Sequence, residues 1–156
     1  MSTIEERLEE LEQRVDHVVA RDAIRELVAE YCRQVVRGDT EGVLALFTDN
    51  ASLVTHFPDG SGQENIETRG AEALRKAYSD VGPIGPKPCI HNHIIELDGD
   101  QARGFCSVEI RLVQDGVAYT GSGHYEDDYR RVGGDWRFLR REIFIYHWVP
   151  HTEGWA

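Results

Sequence analysis

Residues 91–113 read HNHIIELDGDQARGFCSVEIRLV, two runs of apolar and β-branched residues on either side of Asp98-Gly99-Asp100. Asp-Gly between such runs is a tight-turn signal, so Cys89–Leu97 and Ala102–Val113 are expected as an antiparallel pair, the second with Cys106, Val108, Ile110 and Leu112 on one face. Working downstream, Asp115-Gly116 turns the chain again. Val117–Val132 and Trp136–Trp148 then form a last long pair around Gly133-Gly134-Asp135. The C-terminal half is therefore a four-strand meander.

Upstream the pattern changes period. The run GPIGPKP at 82–88 breaks all regular structure, and before it the apolar residues recur at helical spacing. Ile4, Leu8, Leu11, Val15 and Val18 make a short heptad seam behind a Ser2–Glu5 capping box, a seam too short to stand alone and expected to lie on its own domain or on a sister subunit. Asp22 caps a second helix carrying Ile24, Leu27, Val28, Tyr31, Cys32, Val35 and Val36, which Gly38 ends. A short helix capped by Asp39 or Thr40 carries Val43, Leu44 and Phe47. A strand over 51–57, a hairpin-type turn at PDGSG (58–62) and a helix over 70–78 with Ala71, Leu74 and Tyr78 on one side complete the series. Helices first and a meander last define an α+β fold: a curled antiparallel sheet, cone-shaped, with N-terminal helices over its apolar face. The expected division is an N-terminal amphipathic helix over 1–21, one domain over 22–150 and a tail over 151–156.

Charge and cysteine usage narrow the function classes. The chain of 156 residues has a formal charge of −11, with only Lys76 and Lys87 among its 17 basic residues and the arginines scattered. A phosphate backbone is repelled by such a surface, and no basic face accompanies the HNH triplet as a nuclease would require. Cys32, Cys89 and Cys106 lack metal-type spacing and are expected as buried free thiols. With neither a signal-peptide apolar region nor a run of the ~20 residues a membrane helix needs, the expectation is a cytoplasmic protein.

The stretches RDAIRELVAEYCRQVVRGDTEGVLALFTDNASL, RGAEALRKAY, HNHIIELDGDQARG and GSGHYEDDYRRVGGDWRFLRR resemble, in order and over about residues 20–148, the SnoaL-like branch of the nuclear transport factor two-like superfamily. That resemblance implies a cone-shaped α+β barrel around an apolar pocket, in a dimer or trimer, among cofactor-free dehydratases, dehydrochlorinases, isomerases, cyclases, epoxide hydrolases and lyases as well as plain binding domains. In the dehydratase and dehydrochlorinase members an aspartate before the GD break pairs with a histidine on the first meander strand. The corresponding places here fall at Val36 and near Pro88, so that dyad is absent as such.

The polar candidates for a pocket are few. On a regular strand His91 and His93 share a face with Cys89, Ile95 and Leu97; His124 lies between small residues that leave room for a ligand; Tyr31 sits on the buried helix face and needs a partner for its hydroxyl. These four are the candidate catalytic residues, a histidine serving as base. Val35, Val36, Phe47, Ile110, Tyr146 and Trp148 are the candidate substrate contacts. No metal is expected, because no carboxylate stands in register with the histidines. No organic cofactor is expected either, because no phosphate loop appears. The sequence thus suggests a cofactor-free lyase or isomerase, of dehydratase-like acid/base type, acting on a small, mostly apolar oxygenated ring compound. A non-catalytic binding or assembly domain of the same fold is the alternative. The partners expected are a small-molecule substrate and further copies of the chain, not nucleic acid or membrane.

Overall fold

In the computed structural model, which describes residues 3–81 and 85–152, a single helix, α1 (Ile4–Arg37), runs 34 residues. Thr3, not Ser2, caps it: its hydroxyl accepts from Glu6 N while the Glu6 carboxylate accepts from Thr3 N at 2.8 Å. Ser2 lies outside the described residues. Asp22 caps nothing, because the helix passes through it without a break. The end is where the sequence places it. Gly38 takes the left-handed conformation, φ 68°, and the Asp39 N–H closes back onto Gln34 O, an ending that a Cβ-bearing residue makes only with strain.

The remaining elements are α2 (Thr40–Leu44), capped by the Asp39 carboxylate on Gly42 N, β1 (Phe47–His56), β2 (Ile66–Arg69), α3 (Ala71–Val81), β3 (Lys87–Asp98), β4 (Gln101–Gln114), β5 (Val117–Val132) and β6 (Asp135–Pro150). β2 escapes sequence reading because four residues, IETR, carry too little pattern; only its pairing with β1, Ser52↔Arg69 through Thr55↔Ile66, makes it a strand. The sheet has six strands in the order β2-β1-β6-β5-β4-β3. It is curled and unclosed, with β1 running parallel beside β6. Pro88 falls inside β3, which is tolerable because β3 is an edge strand with one row of backbone donors unused.

The core lies between the concave face and the helices: Ile24, Leu27, Val28 and Tyr31 of α1, Val43 of α2 and Leu74 of α3 pack on Cys106, Val108, Ile110, Tyr125, Tyr129 and Phe138. Only the second half of α1 takes part. Residues 3–19 are exposed throughout, so the heptad seam does not lie on its own domain. Two of the three thiols depart from full burial, Cys89 being exposed and Cys32 half-buried. Among the described residues no helix is long and apolar enough to cross a membrane.

Candidate active site: three phenols above a buried ion pair

β3 is not regular, and this decides the fate of its histidines. Asn92 has φ 55°, and the register with β4 slips between His91 and Ile94. Asn is one of the few residues that enters the left-handed region readily. The slip places His91 and His93 on opposite faces: Cys89 and His91 are exposed on the convex side, whereas His93 points inward with Ile95 and Leu97. The same-face expectation therefore fails.

His93 meets a buried chain of polar groups. Tyr129 donates its proton to Asp127 Oδ2 at 2.9 Å, so its oxygen accepts from His93 Nε2 at 3.3 Å, which assigns the Nε2–H tautomer to that imidazole. Asp127 is paired in turn with Arg141, Nε to Oδ1 at 3.0 Å and Nη2 to Oδ2 at 3.2 Å. Both side chains of the pair are wholly buried. Gly104 makes the approach possible, since a Cβ there would stand 2.7 Å from the Tyr129 ring and 3.1 Å from His93 Nε2. Burial first, then the Arg141 and Arg25 charges, depress the His93 pKa to about 4, so this imidazole is neutral at pH 7. For Asp127, burial outweighs the attraction of Arg141 and the Tyr129 hydrogen bond, raising the carboxyl to about 6. Burial also works against the charge on Arg141, but the Asp127 carboxylate beside it outweighs burial, and the guanidinium stays protonated.

The Asp127 shift has a definite sign. Between its ordinary value of 3.8 and about 6 the folded chain holds a proton that the unfolded chain releases, so this one group makes stability fall as pH rises through that window and leaves it level above. A carbon-13 titration of the carboxyl is expected to show a midpoint near 6 that disappears in Asp127→Asn. A midpoint below 4 would contradict the assignment.

The guanidinium of Arg141 is stacked among aromatic rings, 3.8 Å from the centroid of Tyr125, 4.2 Å from Tyr31 and 4.5 Å from Phe138. Tyr31 and Tyr125 then line an apolar cavity of about 470 Å³, which opens between α1, α3 and the concave sheet. Tyr78 of α3 joins them, its hydroxyl 3.0 Å from that of Tyr31. Burial raises the pKa of all three phenols, with Arg141 pulling the other way, so each remains a neutral donor at pH 7. The walls include Val35, Leu53, Ile66, Pro88, Ile110, Ile143, Ile145 and Trp148, with Thr55, Gln63 and Thr68 as the other polar members.

Of the sequence candidates, Tyr31, Val35, Ile110 and Trp148 line this cavity. The others do not. Val36 sits one residue round the helix from Val35 and is 46% exposed. Phe47 is buried edge-on beneath Tyr31 and packs instead of lining. A second bulge, where the β5–β6 register slips between Ser122 and Gly123, turns Tyr146 to the convex side and restores Trp148 to the concave one. His124 is also convex, stacked between Phe105 and Phe144 and bonded to the Tyr146 hydroxyl at 2.5 Å. The glycines beside His124 leave no room for a ligand: a Cβ at Gly121 would meet the Trp148 ring at 2.6 Å, and one at Gly123 would meet Phe144 O at 2.1 Å. Among the described residues no group of three His, Cys, Asp or Glu is placed to hold a metal.

Neither β3 histidine reaches the cavity, so histidine replacements separate by stability alone. His91→Ala is expected within about 0.5 kcal/mol of wild type, as at other exposed positions, and His93→Ala to cost about 1 kcal/mol through its bond to Tyr129. Urea denaturation measures both, and a loss above 2 kcal/mol in His91→Ala would refute this placement.

A helix-covered, curled and unclosed sheet with an apolar cavity at its concave face is an α+β fold with room for a small molecule. Residues 16–142 match the SnoaL-like domain family, and the chain belongs to it. The epoxide hydrolase LasB of Streptomyces lasalocidi is 41% identical over 64 residues, which are 41% of this chain and 21% of LasB, so the match spans about a fifth of that protein. A protein of unknown function from Mycobacterium tuberculosis superposes with a TM-score of 0.70 at 26% identity, over 85% of this chain and 75% of its own. A putative scytalone dehydratase from Novosphingobium aromaticivorans shares the fold, with a TM-score of 0.74 at 20% identity over 90% of this chain and 93% of its own.

Proposed function

We propose that the protein is a cofactor-free enzyme, a lyase or isomerase, that binds a small, mostly apolar oxygenated ring compound in the Tyr31–Tyr78–Tyr125 cavity and delivers a proton to one of its oxygens. The Tyr31–Tyr78 hydroxyl pair, 3.0 Å apart on a mostly apolar wall, carries this reading. Two paired hydroxyls use one hydrogen between them. The second hydrogen is left for a third oxygen, and the cavity is where that oxygen can come from. A neutral phenol in a dry site is a hydrogen-bond donor to developing negative charge and, where a C–O bond breaks, an acid for the departing oxygen. In an elimination the phenol protonates the leaving hydroxyl as the C–O bond breaks. The adjacent carbon then returns a proton to the phenolate, water departs and the pair is restored. An epoxide oxygen suits the same donor, which accords with the activity of LasB.

No His, Asp, Glu, Lys or Arg is among the described lining residues, and this favours a second reading, a binding domain without chemistry. One experiment separates the two. Trp148 on the wall reports occupancy by fluorescence, so small cyclic ketones, alcohols and epoxides are screened for quenching that Trp148→Phe abolishes, and each binder is then followed by mass spectrometry. Product formation dependent on Tyr31 supports the enzyme. Tight binders recovered unchanged across all three chemical classes support the binding domain.

A further inference from the structure

α1 carries two apolar stripes, and only one of them is covered. The C-terminal stripe, Ile24, Leu27, Val28 and Tyr31, is buried in the domain. The N-terminal stripe, Ile4, Leu8, Leu11, Val15 and Val18, is 54–86% exposed. At about 100° per residue, the 16 positions from Leu11 to Leu27 rotate the chain by roughly 160°. The exposed seam thus faces away from the body of its own domain, and the continuous helix, free of proline and glycine over its whole length, gives it no hinge by which to fold back. A partner laid along residues 4–18 meets no obstruction from the domain that presents them.

The flanks of the seam specify the partner. With Leu8 and Val15 at heptad position a and Ile4, Leu11 and Val18 at d, the g positions are Arg7, Arg14 and Arg21 and the e positions are Glu5, Glu12 and Val19. In a parallel pair g of one helix faces e of the next heptad on the other, so Arg7 meets Glu12 twice by symmetry and Arg14 lies over Val19. In an antiparallel pair g faces g and e faces e, which sets arginine against arginine and glutamate against glutamate. We infer that residues 4–18 form a parallel, in-register coiled coil with the same residues of a second copy of this chain, the two domain bodies lying on its outer sides.

The full chain is tested in two ways. In a Cys89→Ser background, which removes the exposed thiol, Ile4→Cys is treated with diamide, which takes up the two thiol hydrogens as the disulfide forms. Parallel pairing brings the two introduced thiols together and yields a cross-linked dimer, while Cys89→Ser alone does not. In an antiparallel pair they stand about 20 Å apart and stay reduced. Separately, Arg7→Glu/Arg14→Glu gives flanks of one sign and Glu5→Arg/Glu12→Arg gives the other; each alone is expected to weaken self-association in sedimentation at least ~10-fold, and mixing the two to restore it. Circular dichroism checks that both remain folded. The inference is overturned by a monomer at 100 µM, by a dimer in which Ile4→Cys does not cross-link, or by charge variants that associate like wild type.

Discussion

Replacing Tyr31 by Phe is expected to lower turnover by about 10²-fold on any substrate whose oxygen the phenol pair engages, the usual loss when one preorganised donor to a developing oxyanion is removed. The substitution deletes one hydroxyl and keeps the ring, so the contacts of Tyr31 with Phe47, Phe138 and Tyr125 remain and the cation of Arg141 keeps its stacking partner. Tyr78→Phe removes the other member of the pair and should cost a similar factor. Because the two hydroxyls share one hydrogen bond, they act as a unit, and the double variant is expected to fall little further than the worse single one rather than by the product of the two. The neutral state of both phenols adds a pH signature. Their pKa values lie above the ordinary phenol value because burial disfavours the phenolate, so activity should hold through pH 9, where an acid of pKa near 7 would already be lost. Wild-type turnover in Tyr31→Phe/Tyr78→Phe would remove the pair from the mechanism.

The sequence alone carries the helical character of the first half, the Gly38 stop, the four-strand meander and the α+β plan, because each rests on periodicity over ten or more residues or on turn chemistry at a glycine. It wrongly divides α1 at Asp22 and puts Phe47 on a helix, where the structure has one continuous helix and begins β1 at Phe47. The site was far less legible, and for one physical reason. Three register slips, at Asn92, around Tyr146 and between Asp128 and Tyr129, each exchange the faces of every residue beyond them. Strict alternation pairs His91 with His93, sets Tyr146 and Trp148 on one side, and groups Arg140 rather than Arg141 with Trp136 and Phe138. All three groupings are wrong by one residue. Only the first slip has a visible cue, the left-handed tolerance of asparagine. Tyr78 is different: its place beside Leu74 on the inner side of α3 is readable, but nothing local pairs it with Tyr31, which lies 47 residues away. Buried charge is the hardest to anticipate, because Asp127 and Arg141 look like any other members of the polar runs EDDYRR and LRRE.

Arg141→Met is expected to destabilise the fold by about 3–5 kcal/mol at pH 7, the largest loss from a single substitution in the buried chain of polar groups. The methionine fills much of the space under Tyr31, Tyr125 and Phe138, so the loss does not come mainly from a cavity. It comes from Asp127, which is then left wholly buried with a hydroxyl partner in Tyr129 but no cation. Burial already holds its pKa near 6 in the presence of Arg141; without that charge the pKa must climb further, and at pH 7 folding then requires the carboxyl to take up a proton. The deficit should therefore shrink as pH falls toward 5, because the folded variant binds a proton that the unfolded chain does not until its ordinary carboxylate range is reached. Replacing both partners, Arg141→Met with Asp127→Leu, removes the charge and its need for a counter-charge together, and is expected to recover most of the loss, leaving about 1 kcal/mol for the bond Tyr129 no longer donates. Urea titrations of the single and double variants at pH 5 and pH 7 decide it: a double variant as unstable as Arg141→Met at both pH values would mean that packing among the rings, and not the uncompensated carboxylate, is what Arg141 contributes.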